Sequence, residues 1–88
     1  MKQFKDLEFI SLNDDFLSGK KARIQFDNGY GASVVSHNFS YGGKQGLYEI
    51  AILDNEGHIC YDNPITNDVV GHLTEEDVTE VLIKIQSL

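Results

Sequence analysis

Little in this chain fixes its chemistry in advance. Cys60 is the single cysteine, so no internal disulfide can form and no cysteine-rich metal site can be assembled. A reducing, cytoplasmic setting is consistent with that scarcity. No apolar run approaches the roughly 18 residues needed to span a bilayer. The first twelve residues are interrupted by Lys2, Lys5, Asp6 and Glu8, which leaves no apolar stretch of the kind a secretion signal requires. Cations are also scarce, with seven Lys and Arg against fourteen Asp and Glu. An acidic balance of this size repels nucleic-acid phosphate, so direct DNA or RNA binding is not expected.

The 88 residues amount to one domain by length, and a 41% apolar content is enough for one core. The charge is unevenly placed. Residues 1–44 carry six cationic and five acidic side chains, whereas residues 45–88 carry nine acidic side chains and Lys84 alone. Such a half is either a solvated surface or one that suits a basic protein partner.

The most legible element is the last. Thr74-Glu75-Glu76-Asp77 is a capping-box start, in which the Thr74 hydroxyl accepts the Asp77 N–H and the Asp77 carboxylate reaches back. Leu73 and Val78 flank it at the two positions of a hydrophobic staple. Val78, Val81, Leu82, Ile85 and Leu88 then form one apolar stripe at helical spacing. Upstream, Ala22–Phe26 alternates as a half-buried strand does, and Asn28-Gly29 marks a two-residue hairpin turn. That turn pairs Asp27 with Tyr30 and Ile24 with Ser33, and it places Ile24, Phe26 and Val35 on one face. The return strand runs over 30–37. Leu47–Leu53 reads as a strand with Tyr48, Ile50 and Ile52 on one side, followed by an Asp54–Gly57 turn and a pairing strand at His58–Tyr61. Pro64 ends that strand.

The expected fold is therefore α+β, an antiparallel β-meander of three to five strands packed by one C-terminal helix. Its divisions are an N-terminal segment 1–20, a meander 21–62, a connector 63–73 and a helix 74–88. Within the first segment, Leu7 and Phe9 fit an edge strand, while Phe4, Leu7 and Ile10 fit a helical turn. Ser18–Lys21 reads as the turn into the first secure strand.

Three features invite a chemical reading. The loop Asn38–Gly46 contains Gly42-Gly43-Lys44, but its spacing is not that of a phosphate-binding loop and a strand follows it instead of a helix. It reads either as a strand connection needing positive φ or as a recognition loop presenting Phe39, Tyr41 and Lys44. His58 and Cys60 share a strand face about 7 Å apart, an awkward distance for a nucleophile and its base. Cys60 reads as a buried structural residue. His37, His58 and His72 lack zinc-binding spacing, and Glu75-Glu76-Asp77 is explained by capping. No catalytic residue, metal site or cofactor is expected.

The runs Phe26-Asp27-Asn28-Gly29-Tyr30-Gly31-Ala32-Ser33-Val34-Val35, Ser40-Tyr41-Gly42-Gly43, Gly46-Leu47-Tyr48-Glu49, Cys60-Tyr61-Asp62 and Pro64-Ile65-Thr66-Asn67-Asp68-Val69-Val70-Gly71 through Leu73-Thr74 carry a resemblance. Over about residues 26–88 the chain resembles a set of small uncharacterised accessory proteins encoded by tailed bacteriophages. Met1–Lys21 lies outside that pattern. The resemblance implies a product acting in the cytoplasm of a bacterial host, where such proteins are often non-enzymatic binders that block or redirect a host protein or defence factor. Phe39, Tyr41, Gly42, Gly43 and Lys44, with Glu75 and Glu76, are the expected partner-binding residues. The alternative is a small-ligand binder of nucleotide type, with the glycine-rich loop over a pocket and Arg23 or lysines meeting phosphate. A homodimer through a free sheet edge is a further expectation.

Overall fold

The computed structural model describes residues 1–66 and 68–88. Asn67, which belongs to the 63–73 connector and to the last run quoted above, lies outside the described residues. Five strands, β1 (Ile10–Asn13), β2 (Ser18–Gln25), β3 (Gly31–His37), β4 (Tyr48–Leu53) and β5 (Val69–Leu73), form one antiparallel sheet in the order β1-β2-β3-β4-β5. The helix α1 (Glu75–Gln86) packs on one face of it. This is the α+β meander with a C-terminal helix that the sequence pattern predicts.

The core follows from two periodicities meeting. Period two places Ala32 and Val34 of β3 and Tyr48, Ile50 and Ile52 of β4 on one face, and Leu73 of β5 joins them. The helical period places Val78, Val81, Leu82 and Ile85 opposite. Burying those four helix side chains contributes up to about 6–12 kcal/mol, an upper figure because the unfolded chain already hides some surface. Leu88, predicted to extend the stripe, is 39% exposed because the helix stops at Gln86.

The capping box forms as the residues dictate. The Asp77 N–H donates to Thr74 Oγ1 at 3.1 Å, and the Thr74 N–H donates to Asp77 Oδ2 at 3.0 Å. The other end is held from outside the helix. Asn28 Nδ2 donates to the Ile85 carbonyl at 2.8 Å, which also accepts the Leu88 N–H at 3.2 Å, and to the Leu88 carbonyl at 3.4 Å, so the last turn is tied to the hairpin.

Asn28 does this from a hairpin turn one residue longer than predicted. The Phe26 N–H donates to Tyr30 O, and the Gly29 N–H to Phe26 O, with Gly29 at φ 89°. This is a three-residue loop with a left-handed glycine, not a two-residue one. Ile24 therefore pairs with Ala32, not Ser33. The one-residue shift puts Val34 on the core face and Val35 on the other, since strand side chains alternate. Asp54–His58 repeats the same turn, with Gly57 at φ 83°.

Two further expectations are corrected. His58–Tyr61 does not make a strand. Only Ile59 bridges Leu53, and the Cys60 N–H reaches Ile52 O, because β5 takes the rest of that edge of β4. The connector 63–73 thus contains the fifth strand. At the start of the chain, Phe4–Asp6 is a 3₁₀ turn and Ile10–Asn13 an edge strand. The helical turn ends before Leu7 and Ile10, and the strand begins after the Leu7 and Phe9 on which it was expected, because those two side chains pack against the core from an irregular segment. Ser18–Lys21 is not a turn but the beginning of β2; the turn is Asp14–Leu17.

Phe4 and Phe9 close the core beside Tyr48, with ring centroids 5.1–5.8 Å apart, and Lys20 Nζ lies 5.0 Å from the Phe9 ring and 5.3 Å from the Tyr48 ring. Among the described residues the outer edges of β1 and β5 have no strand partner.

Leu82 is fully buried between helix and sheet. Leu82→Ala should lower stability by about 2–5 kcal/mol in urea denaturation. A loss below about 1 kcal/mol would mean that the helix contributes no core.

Candidate protein-binding site

The up-and-down order fixes which loops meet. The β1–β2 turn, the β3–β4 loop and the β5–α1 junction all emerge at one end of the sheet, and the β2–β3 hairpin and the C-terminus of α1 lie at the other. Every residue expected to bind a partner therefore falls at the first end.

That end is tightly tied. The Asp14 N–H donates to Leu17 O at 3.0 Å, and Asp14 Oδ1 accepts the N–H groups of Phe16 at 2.8 Å and Leu17 at 2.6 Å. These two donors, that of Leu17 first, hold the Asp14 carboxyl below the usual carboxylate range. Asn38 grips the same turn from β3. Its Nδ2 donates to Phe16 O at 2.7 Å, while its Oδ1 accepts the Ser18 N–H at 3.1 Å. Phe39 follows directly, its N–H donating to His37 Nδ1 at 3.1 Å.

Tyr41 is fixed on both sides of its peptide. Its N–H donates to Glu49 Oε1 at 3.0 Å, and its carbonyl accepts the His72 N–H at 3.1 Å. The Tyr41 and His72 rings stack with centroids 6.5 Å apart and planes 25° from parallel. His72 stands at φ 56° in the irregular stretch of β5 opposite Tyr48 and Ile50, a conformation costly for a residue with a side chain. Gly71 makes the approach feasible: a Cβ there would come 2.5 Å from the Tyr41 Cβ.

These bonds hold three aromatic rings outward. Phe16 is 77% exposed, Phe39 70% and Tyr41 60%. Lys44 is exposed on the 3₁₀ turn Gly43–Gln45. Gly42 is buried at φ 88°, and a Cβ on Gly43 would collide with the His37 carbonyl oxygen. These two glycines shape the loop and leave its side chains to make any contact. Glu75 and Glu76 are exposed in the first turn of α1, beside Gln3, Phe4, Lys5 and Thr79. Phe16 and His72 were not among the expected residues. Phe16 lies in the segment whose structure the sequence left open, and His72 is brought to Tyr41 only by the unforeseen β5.

A cleft of about 620 Å³ opens at the opposite end, lined by Lys2, Asp6, Ile24, Phe26, Asp27 and Gln86 among others. No residue of the glycine-rich loop lines it. Arg23 is used elsewhere, donating to Gly57 O at 3.3 Å. Cys60, expected to be buried, is half-buried, with Sγ 3.5 Å from Asp62 O, and His58 is exposed. Among the described residues no three His, Cys, Asp or Glu side chains form a group able to hold a metal ion, and no helix is long and apolar enough to cross a membrane.

Comparison with protein-family models, with curated proteins and with solved structures finds no match.

The bonds to Asp14 make the turn bearing Phe16 sensitive to acid. A carboxyl whose folded pKa lies below its unfolded value stabilises the fold above the unfolded pKa, and that contribution disappears as pH falls through the folded value. The Phe16 and Leu17 amide resonances should therefore hold steady from neutral pH down through the ordinary carboxylate range and move only below it. Asp14→Asn should abolish that transition. A transition unchanged in the variant would assign it to another group.

Proposed function

We propose that this chain is a non-enzymatic protein-binding module, a phage accessory protein that acts in the cytoplasm of a bacterial host by engaging a host protein and inhibiting a host or defence factor. One observation carries the binding role: Phe16, Phe39 and Tyr41 are each exposed at the same end of the sheet, on loops that are hydrogen-bonded into fixed positions. Aromatic side chains on ordered loops are the usual anchors of protein interfaces, because they bury much area while losing little freedom. The phage and host elements rest on the sequence resemblance. The acidic half of the chain adds a preference for a basic partner surface and is compatible with imitation of phosphate charge at a host protein's nucleic-acid site.

The test is capture of partners from host lysate. Wild type should retain a partner that the double variants Phe16→Ala with Tyr41→Ala and Tyr41→Ala with Lys44→Ala lose, all remaining folded. Glu75→Gln with Glu76→Gln, which leaves the Thr74–Asp77 cap intact, should weaken the same capture. Identical partners for all variants, or none for wild type, would count against the site.

A second reading follows from the cleft at the far end, whose volume lies in the range of small-ligand pockets. Its nucleotide form has Lys2 in its favour and Asp6 and Asp27 against it. Thermal-shift measurement with nucleotides separates the two readings. A rise of several degrees at sub-millimolar ligand supports this one, and an unchanged transition removes it.

A further inference from the structure

The aromatic end of the molecule also carries an excess of carboxylates. The β1–β2 turn, the β3–β4 loop, the base of β4 and the start of α1 contribute Asp14, Asp15, Glu49, Glu75 and Glu76, besides the Asp77 used in capping. Against them stand Lys44 on the loop, Lys5 beside Glu75 and Glu76, and Lys20 over the Tyr48 ring, which leaves Asp14, Asp15 and Glu49 as the carboxylates nearest the rings in sequence and bonding. Two of the carboxylates also serve the framework. Asp14 and Glu49 accept the N–H groups that position Phe16 and Tyr41, so negative charge lies directly at the backbone of the exposed rings.

Exposed rings beside carboxylates favour one kind of side chain. A guanidinium can lie flat on an aromatic face, where the ring quadrupole attracts it, while its N–H fork reaches a carboxylate. An ammonium is more strongly hydrated and lacks the planar stack. An acidic or phosphorylated partner would be repelled by the same carboxylates.

Resting on the protein-binding reading above, we propose that this end recognises an arginine-bearing segment of its partner, with guanidinium groups seated on Phe16, Phe39 and Tyr41.

The experiment uses the ¹⁵N-labelled full chain and three synthetic peptides of equal length and equal apolar content, one arginine-rich, one with lysine for each arginine and one with glutamate. The arginine peptide should shift the amide signals of Phe16, Phe39, Tyr41 and His72, and its affinity should fall with added salt. The lysine peptide should bind several-fold more weakly, and the glutamate peptide should leave the spectrum unchanged. Phe39→Ala with Tyr41→Ala should weaken the arginine peptide about tenfold while the remaining spectrum stays folded. Equal binding of arginine and lysine peptides would reduce the effect to net charge and overturn the proposal. So would shifts confined to other acidic surfaces, or none at all. The protein-binding reading is judged separately, by the lysate capture. A partner lost with Phe16→Ala and Tyr41→Ala but docking through a segment without arginine would leave that reading standing and refute this one.

Discussion

One helix covering one face of one sheet is the constraint on which the rest of this protein depends. Val78, Val81, Leu82 and Ile85 must meet Val34, Ile50 and Ile52, because among the described residues no second helix or sheet exists to bury either set. A twelve-residue helix is marginal by itself, so its docking and its ends matter together. Thr74 and Asp77 satisfy the first turn, and Asn28 reaches across from a hairpin to tie the last. The longer hairpin turn is thus coupled to the helix it supports, since it presents Asn28 to the helix end.

The same constraint separates the molecule's two ends by role. The helix has to start where β5 stops, and the meander sends the β1–β2 turn and the β3–β4 loop to that end as well. Phe16, Phe39 and Tyr41 stand on those loops beyond the helix-covered face. The loops hold them outward through backbone bonds to Asn38, Glu49 and His72, not through burial. Loops held in this way have already given up conformational freedom that loops without such bonds retain.

Much of this was legible in the residues because local chemistry decided it. The Thr74 capping box, the helix stripe and the inward Tyr48, Ile50 and Ile52 depend on neighbours within a turn or on simple alternation. What escaped reading depended on distant parts of the chain. Asn28-Gly29 is compatible with a two- or a three-residue loop, and burial of Val34 in place of Val35 chose between them. Val69–Leu73 is interrupted by Gly71 and a left-handed His72, so its strand character exists only through pairing with β4 and contact with Tyr41. The candidate site was half visible for the same reason. Phe39, Tyr41 and Lys44 stand on a loop marked by glycines, whereas Phe16 joins them through Asn38, 22 positions away.

The pairing of Lys2 with Gln86 has a topological consequence. The Lys2 N–H donates to Gln86 Oε1, and Gln86 Nε2 donates back to Lys2 O, so the two ends of the chain lie side by side. Both are at the finish of α1, remote from the aromatic rings near its start. The backbone is thus nearly a closed circuit. A short linker could join the ends and new ones could be opened at the Asp54–Gly57 turn without disturbing the order of the strands. For the same geometric reason, a label placed at residue 2 or residue 86 lies away from the aromatic side.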